Sequence, residues 1–255
     1  MTQNNSNESA KKAKRILVFD VETSGLIPKD RTNMTIDDLP HILQLTFVIF
    51  ETKGWKIARS MNTYINVAPS VSISPKITEL TGITREMCDK GISMKTALQE
   101  FVKEYMECDI IVAHNIQFDR EMIRIELERH KTTLTDPQYA LVFDREFERH
   151  QNKFNYCTMY NGKNVCKIER TDPKGEVYYK CPKLVELYEH LFSMTPHNLH
   201  DALIDTFVCL RCFVKLRFKF DLSLKSFPDI TFTPWTKPEA IPRQTQATEV
   251  QVSAT

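Results

Sequence analysis

The run Ile16-Leu17-Val18-Phe19 ends in two carboxylates, Asp20 and Glu22, and Thr23-Ser24-Gly25 then turns the chain. Apolar, partly β-branched residues in so short a run read as a buried strand. Residues two apart in a strand share a face, so Asp20 and Glu22 project together. Two like charges closing a buried strand are costly unless a cation sits between them. The alternative is a pair of solvated residues just past the strand end. Asp-x-Glu is a weak signal by itself, since it recurs at Asp119/Glu121 and Asp144/Glu146. Only the first copy closes a buried strand pattern.

Around this strand the pattern begins with β-structure. Residues 15–20, 42–51 and 61–67 read as an antiparallel meander. Ser74-Pro75 is a helix start, a capping Ser followed by Pro in the first turn. Residues 93–107 form an amphipathic helix with Ala97, Leu98, Phe101, Val102 and Tyr105 inward. A buried strand at 109–113 and a helix at 118–130 follow. Strands first, then alternating helices and strands, predict an α/β fold with a mixed sheet covered by helices. Residues 164–180 break the rhythm: Asp172-Pro173-Lys174-Gly175 has the residue order of a type I turn. A β-hairpin insertion is expected there. Helices at 182–192 and 198–218 finish the fold. No repeat and no Walker-type loop is present, and six glycines leave no dinucleotide fingerprint.

A chain of 255 residues can bury a proper core. Polar composition at 1–13 and the prolines after 226 predict a disordered arm and a disordered tail around one domain at 14–225. A formal charge of +1 gives no bulk attraction for nucleic acid. Local basic stretches are Lys11-Lys12-Ala13-Lys14-Arg15 and the series Arg211, Lys215, Arg217, Lys219. Each alone reads more simply as a solvated arm or helix face. Seven cysteines, odd in number and mostly within apolar segments, fit reduced thiols in an intracellular protein. No apolar stretch is long enough for a membrane span, and Met1 to Ala10 lacks a signal-peptide core.

Two further segments carry acidic chemistry. Asp119 follows the apolar run Ile110-Ile111-Val112-Ala113 through His114-Asn115-Ile116-Gln117-Phe118. It falls in a first helical turn, where the helix dipole favours a carboxylate anyway. His114-Asn115, directly after a buried strand, would line the crevice at the sheet's carboxyl end. His200 and Asp205 open the last helix; five residues apart, they diverge by about 140° on a regular helix. His200 therefore belongs in the preceding loop or first turn, with Asp205 one turn inside. A carboxylate cluster with a nearby imidazole suits two hard cations and a deprotonated water.

Four blocks occur in order: Phe-Asp-Val-Glu-Thr-Ser-Gly-Leu (19–26), Leu-Thr-Gly-Ile-Thr (80–84), Ala-His-Asn-Ile-Gln-Phe-Asp (113–119) and His-Asp-Ala-Leu-Ile-Asp (200–205). Together they resemble the DEDDh branch of the DnaQ-like 3′–5′ exonucleases. The resemblance implies an RNase H-like fold, with the 164–180 hairpin outside its common core. It implies a two-metal phosphodiesterase using Mg²⁺, with Mn²⁺ as a substitute, on DNA or RNA 3′ ends. Asp20, Glu22, Asp119 and Asp205 would hold the metals and His200 would be the general base. Thr23, Leu26, Asn115 and Phe118 would contact substrate. Two alternatives stand beside this reading. One is a non-catalytic nucleic-acid-binding module of the same fold. The other is a zinc-stabilised structural protein using His197, His200, Cys209 and Cys212, or a looser set at Cys157, Cys166 and Cys181.

Overall fold

The computed structural model describes residues 13–196 and 202–222, with the backbone of Phe232–Pro234. Strands β1 (Arg15–Thr23), β2 (Ile42–Glu51) and β3 (Lys56–Asn66) form the expected antiparallel meander. Two short helices, α1 (Pro75–Thr81) and α2 (Arg85–Asp89), lead to β4 (Ile92–Ser93), which pairs parallel with β3. Helix α3 (Met94–Glu107) returns the chain to β5 (Ile110–Ala113), parallel to β1. Helices α4 (Ile116–Arg129) and α5 (Arg145–His150) precede β6 (Phe154–Cys157), parallel to β5. The sheet order is β4-β3-β2-β1-β5-β6. This is the mixed sheet that the order of elements predicts.

β1 sits centrally and is covered on both faces. Leu17, Phe19 and Val21 belong to a core shared with α3 and α4, while Ile16 and Val18 face a second core. That second core is closed by α8 (Ala202–Phe218) through Phe207, Leu210, Phe213 and Val214. Burial on both sides explains why the strand reads as a continuous apolar run rather than an alternating one. β1 runs past the expected end at residue 20, so Glu22 lies within the strand.

The charged segment 132–155 contributes to the core. Leu134, Val142 and Phe143 enter the main core, and buried Glu148 accepts a 3.0 Å bond from the Tyr105 hydroxyl. β6, within and just beyond that segment, has no counterpart in the sequence reading. It is a four-residue edge strand with Phe154 exposed, so it shows no alternation to detect.

Helix α6 (Thr158–Cys166) occupies residues expected to start the hairpin, so the first hairpin strand begins later. The ribbon is β7 (Glu169–Thr171) with β8 (Val177–Tyr179). Its turn is built as expected: Gly175 N–H bonds Asp172 O at 3.0 Å, and Gly175 adopts φ +86°. Helix α7 (Leu184–Phe192) and β9 (Met194–Pro196) follow. β9 pairs with β10 (Phe232–Pro234), so one strand lies inside the tail expected to be unfolded. Residues 1–12, 197–201, 223–231 and 235–255 lie outside the described residues.

Candidate active site

The parallel ladder between β1 and β5 ends at Val18/Val112, and beyond it β1 continues paired to β2 alone. Asp20 and Glu22 sit on this projecting end, opposite Thr46 and Gln44. They follow Ile16 and Val18 on the face that α8 covers, and α8 carries Asp205 in its first turn. Carboxylate oxygens of Asp20, Glu22 and Asp205 lie within 4.8 Å of one another. Among the described residues this is the one group of three or more potential metal ligands.

Asp119 completes the set electrostatically. It is buried, 3% exposed, in the first turn of α4. The backbone N–H groups of Asp119 itself and of Val21 are near enough to favour its charged form, which places α4's first turn beside the projecting end of β1. Burial raises the Asp20 carboxyl well above the usual range, and the charges of Asp119, Asp205 and Glu22 raise it further. Asp119 is likewise raised, first by burial and also by Glu22, against the favourable pull of those two backbone N–H groups. Four carboxylates that oppose one another's ionisation fit a hard divalent cation, whose charge removes the conflict. An acidic cluster of this kind is suited to holding metal.

The remaining expected residues divide. Thr23 is buried and its hydroxyl donates to Gly25 O at 2.8 Å, closing the turn. Leu26, just past that turn, is 84% exposed. Asn115 stands exposed with φ +71° at the mouth of α4, its side chain making no capping bond. Phe118 is half-buried against the main core. His200 lies outside the described residues, as does His197.

Beside the cluster, His114, expected to line the crevice, and Cys209, weighed as a zinc ligand, are instead joined through Thr158, which had no reading in the sequence. His114 Nδ1 lies 2.9 Å from Thr158 Oγ1, and its Nε2 lies 3.2 Å from Pro182 O. Thr158 Oγ1 is in turn 3.4 Å from Cys209 Sγ. Burial lowers the His114 pKa to about 4. The ring is therefore neutral, and since Pro182 O can only accept, Nε2 carries the hydrogen. The 80–84 block is also structural. Gly82 ends α1 at φ +72°, and the Thr84 side chain caps α2.

The basic stretches expected at the surface are partly spent inside the fold. Lys14 pairs with Asp109 at 2.9 Å and Arg15 with Glu104 at 2.6 Å. Arg211 is buried, bonded to Tyr188 and, at 2.9 Å, to Asp221. Cys209 and Cys212 are buried in separate apolar clusters, and burial pushes both thiols up. All seven cysteines are free. A cavity of about 720 Å³ lined by Val67, Met94, Glu126, Arg129 and His130 includes none of Asp20, Glu22, Asp119 and Asp205. Arg129 there is committed to Glu126 and to the carbonyls of Ile36, Leu39 and Pro40.

Residues 17–213 match the model of an exonuclease family, RNase_T. The chain belongs to this exonuclease family. Among curated relatives, it is 34% identical over 127 residues to the DNA polymerase III PolC-type of Thermotoga maritima, covering 50% of this chain and 8% of that one. It is 32% identical over 122 residues to the 3′-5′ exonuclease DinG of Bacillus subtilis, covering 48% of this chain and 12% of that one. The chain thus spans about a tenth of the length of these relatives. Among solved structures, the nuclease domain of 3′hExo, described as a DEDDh family member bound to rAMP, superposes with TM-score 0.53 at 14% identity, covering 89% of this chain and 99% of that one. Exonuclease I of E. coli in complex with a dT13 oligonucleotide gives TM-score 0.55 at 14% identity, over 81% of this chain and 42% of that one. The fold is RNase H-like, as the four blocks imply, and the exonuclease family includes 3′-5′ exonucleases. No described helix is long and apolar enough to cross a membrane.

Proposed function

We propose that this chain is a metal-dependent 3′–5′ exonuclease that hydrolyses the terminal phosphodiester bond of a nucleic acid and releases nucleoside 5′-monophosphates. The observation that carries the reading is the convergence of Asp20, Glu22 and Asp205 within 4.8 Å, with Asp119 opposing their ionisation from α4. Asp20, Glu22, Asp119 and Asp205 would hold Mg²⁺, two ions per site, with Mn²⁺ as a substitute. Bound there, a pair of ions would supply an activated water and charge stabilisation for the leaving oxygen.

The chain's own residues do the rest. β1 runs on past its ladder with β5, so Asp20 and Glu22 lie at the carboxyl end of the sheet, the end at which open α/β sheets bind ligands. Leu26, exposed beside the Thr23–Gly25 turn, can wedge the terminal nucleotide, and Asn115 presents its amide at the same edge. His200 is assigned the proton of the attacking water, on its position in the sequence ahead of Asp205.

The test uses 5′-labelled single- and double-stranded DNA and RNA oligonucleotides with Mg²⁺. Stepwise shortening from the 3′ end with mononucleotide release is expected, and activity should disappear in EDTA. His200→Ala should cut turnover by about 10²–10⁴-fold while metal binding is retained. Cleavage of a circular substrate, or full activity in EDTA, contradicts the proposal.

A further inference from the structure

We infer that α6 and the β7–β8 hairpin form a docking arm for the single-stranded nucleic acid that leads up to the hydrolysed 3′ end. The inference rests on the exonuclease reading and names a second surface for the same substrate.

The arm is rooted beside the carboxylates. α6 begins directly after β6, at the carboxyl edge of the sheet where β1 presents Asp20 and Glu22. His114 holds both roots: one ring nitrogen is on Thr158, the first residue of α6, and the other on Pro182, just past the hairpin. Cys209, bonded to Thr158, packs in the core that also holds Ile16 and Val18, the residues on the same face of β1 as Asp20. Gly162 seats α6 against α7, since a Cβ there would meet Leu187 at 2.9 Å. The base of the arm is therefore stiff.

Beyond that base nothing among the described residues covers the arm. Both strands of the ribbon are exposed on both faces, with Val177 at 65% and Tyr178 at 49%. Tyr160, in the first turn of α6, is 70% exposed. A two-stranded ribbon with apolar residues on both faces is marginal alone and gains from an occupant.

Charge decides which occupant. Residues 158–183 contain six Lys or Arg and three Asp or Glu. Asp172 is spent on the turn, accepting from the N–H groups of Lys174 and Glu176 at 2.8 Å, and Lys180 is paired with Glu186. Among the described residues Lys163, Lys167, Arg170 and Lys174 have no ion pair. Tyr160 and Lys163 are three apart on α6, Lys167 caps its carboxyl end, and Arg170 sits directly across the ribbon from Tyr178. Aromatic rings interleaved with unpaired cations match a single strand, whose bases stack and whose phosphates follow a basic track. Tyrosine and arginine also favour protein partners, but the net positive charge of the arm, next to a phosphodiesterase site, favours nucleic acid.

Two sets of substitutions test this in the full chain: Lys163→Ala, Lys167→Ala, Arg170→Ala and Lys174→Ala together, and Tyr160→Ala with Tyr178→Ala. Fluorescence anisotropy with a labelled 20-mer in Ca²⁺ reads binding whether or not the chain turns over. The basic variant should lose about 2–3 in the slope of log K against log salt, at about 0.7 per released phosphate contact. The tyrosine variant should bind the 20-mer about ten-fold or more weakly. In Mg²⁺, the ratio of kcat/KM for the 20-mer to that for a trinucleotide should fall about ten-fold in either variant. Circular dichroism and melting confirm that both remain folded. Unchanged 20-mer affinity and salt slope in both variants assign the hairpin to another occupant, such as a protein, and overturn the inference. Arm-dependent binding without mononucleotide release overturns the exonuclease reading alone, and release with arm-independent binding overturns this inference alone.

Discussion

Asp20 is the residue at which the competing forces meet. Its neighbours Glu22, Asp119 and Asp205 all resist its ionisation, and burial does so first. Replacing one member of a buried like-charge group with an uncharged isostere relieves that repulsion. Asp20→Asn is therefore expected to raise Tm in EDTA, while losing nuclease activity and the stabilisation that Mg²⁺ gives the parent. Melting curves with and without metal check all three outcomes. His114 carries a pH signature. Its folded pKa, about 4, lies below the unfolded value of 6.5. The stability it contributes is thus present above pH 6.5 and lost as pH falls towards 4, because the unfolded chain takes up the proton first. The loss is on the order of 3 kcal/mol. Urea titrations of the parent and of His114→Gln across that window should show a steeper acid loss in the parent. Parallel profiles would mean that His114 carries no such penalty.

Among the elements, the Leu-Thr-Gly-Ile-Thr block shows how a short motif can be architecture. Gly82 adopts φ +72° at the end of α1, with open space where a Cβ would go. Across the break the Thr78 hydroxyl donates to Ile83 O and the Thr81 hydroxyl accepts from Ile83 N–H, and Ile83 is fully buried. Because no clash arises, Gly82→Ala should cost only the left-handed backbone penalty of about 1 kcal/mol. That corresponds to a Tm loss of about 2–4 °C for a domain of this size. Nuclease activity per folded molecule should be unchanged, as the block touches none of the carboxylates. A larger loss would mean that the αL position is shared with a contact not apparent at this turn.

For the whole molecule, the carboxylates come from three separate elements: β1, α4 and α8. A cation bound between them therefore links distant parts of the chain, and its binding free energy adds to folding. At a hundred times its dissociation constant Mg²⁺ should stabilise the parent by about 2.7 kcal/mol. Chelation should reverse this in a melting experiment. A Tm independent of Mg²⁺ from micromolar to millimolar concentration would contradict a metal site built from these residues.

The sequence by itself determined the meander, the helix α3 with its inward face, the hairpin turn and the three acidic segments. Each of these is written locally, in period, in caps or in a turn whose glycine takes φ +86°. The order of the blocks also carried the family. The tertiary structure alone decided the rest. Whether Asp20 and Glu22 sat in or beyond the strand depended on how far β2 pairs with β1 after β5 has ended. The edge strand β6 exists because β5 offers it a ladder, and its four residues carry no periodicity of their own. Arg211 reads as one cation in a basic series, yet it is buried against Tyr188 and Asp221, partners that only packing supplies. His114 joins residues 44 and 68 positions away, a clasp that no spacing in the chain encodes. Local propensity is a property of neighbours in sequence, whereas burial and charge pairing belong to neighbours in space.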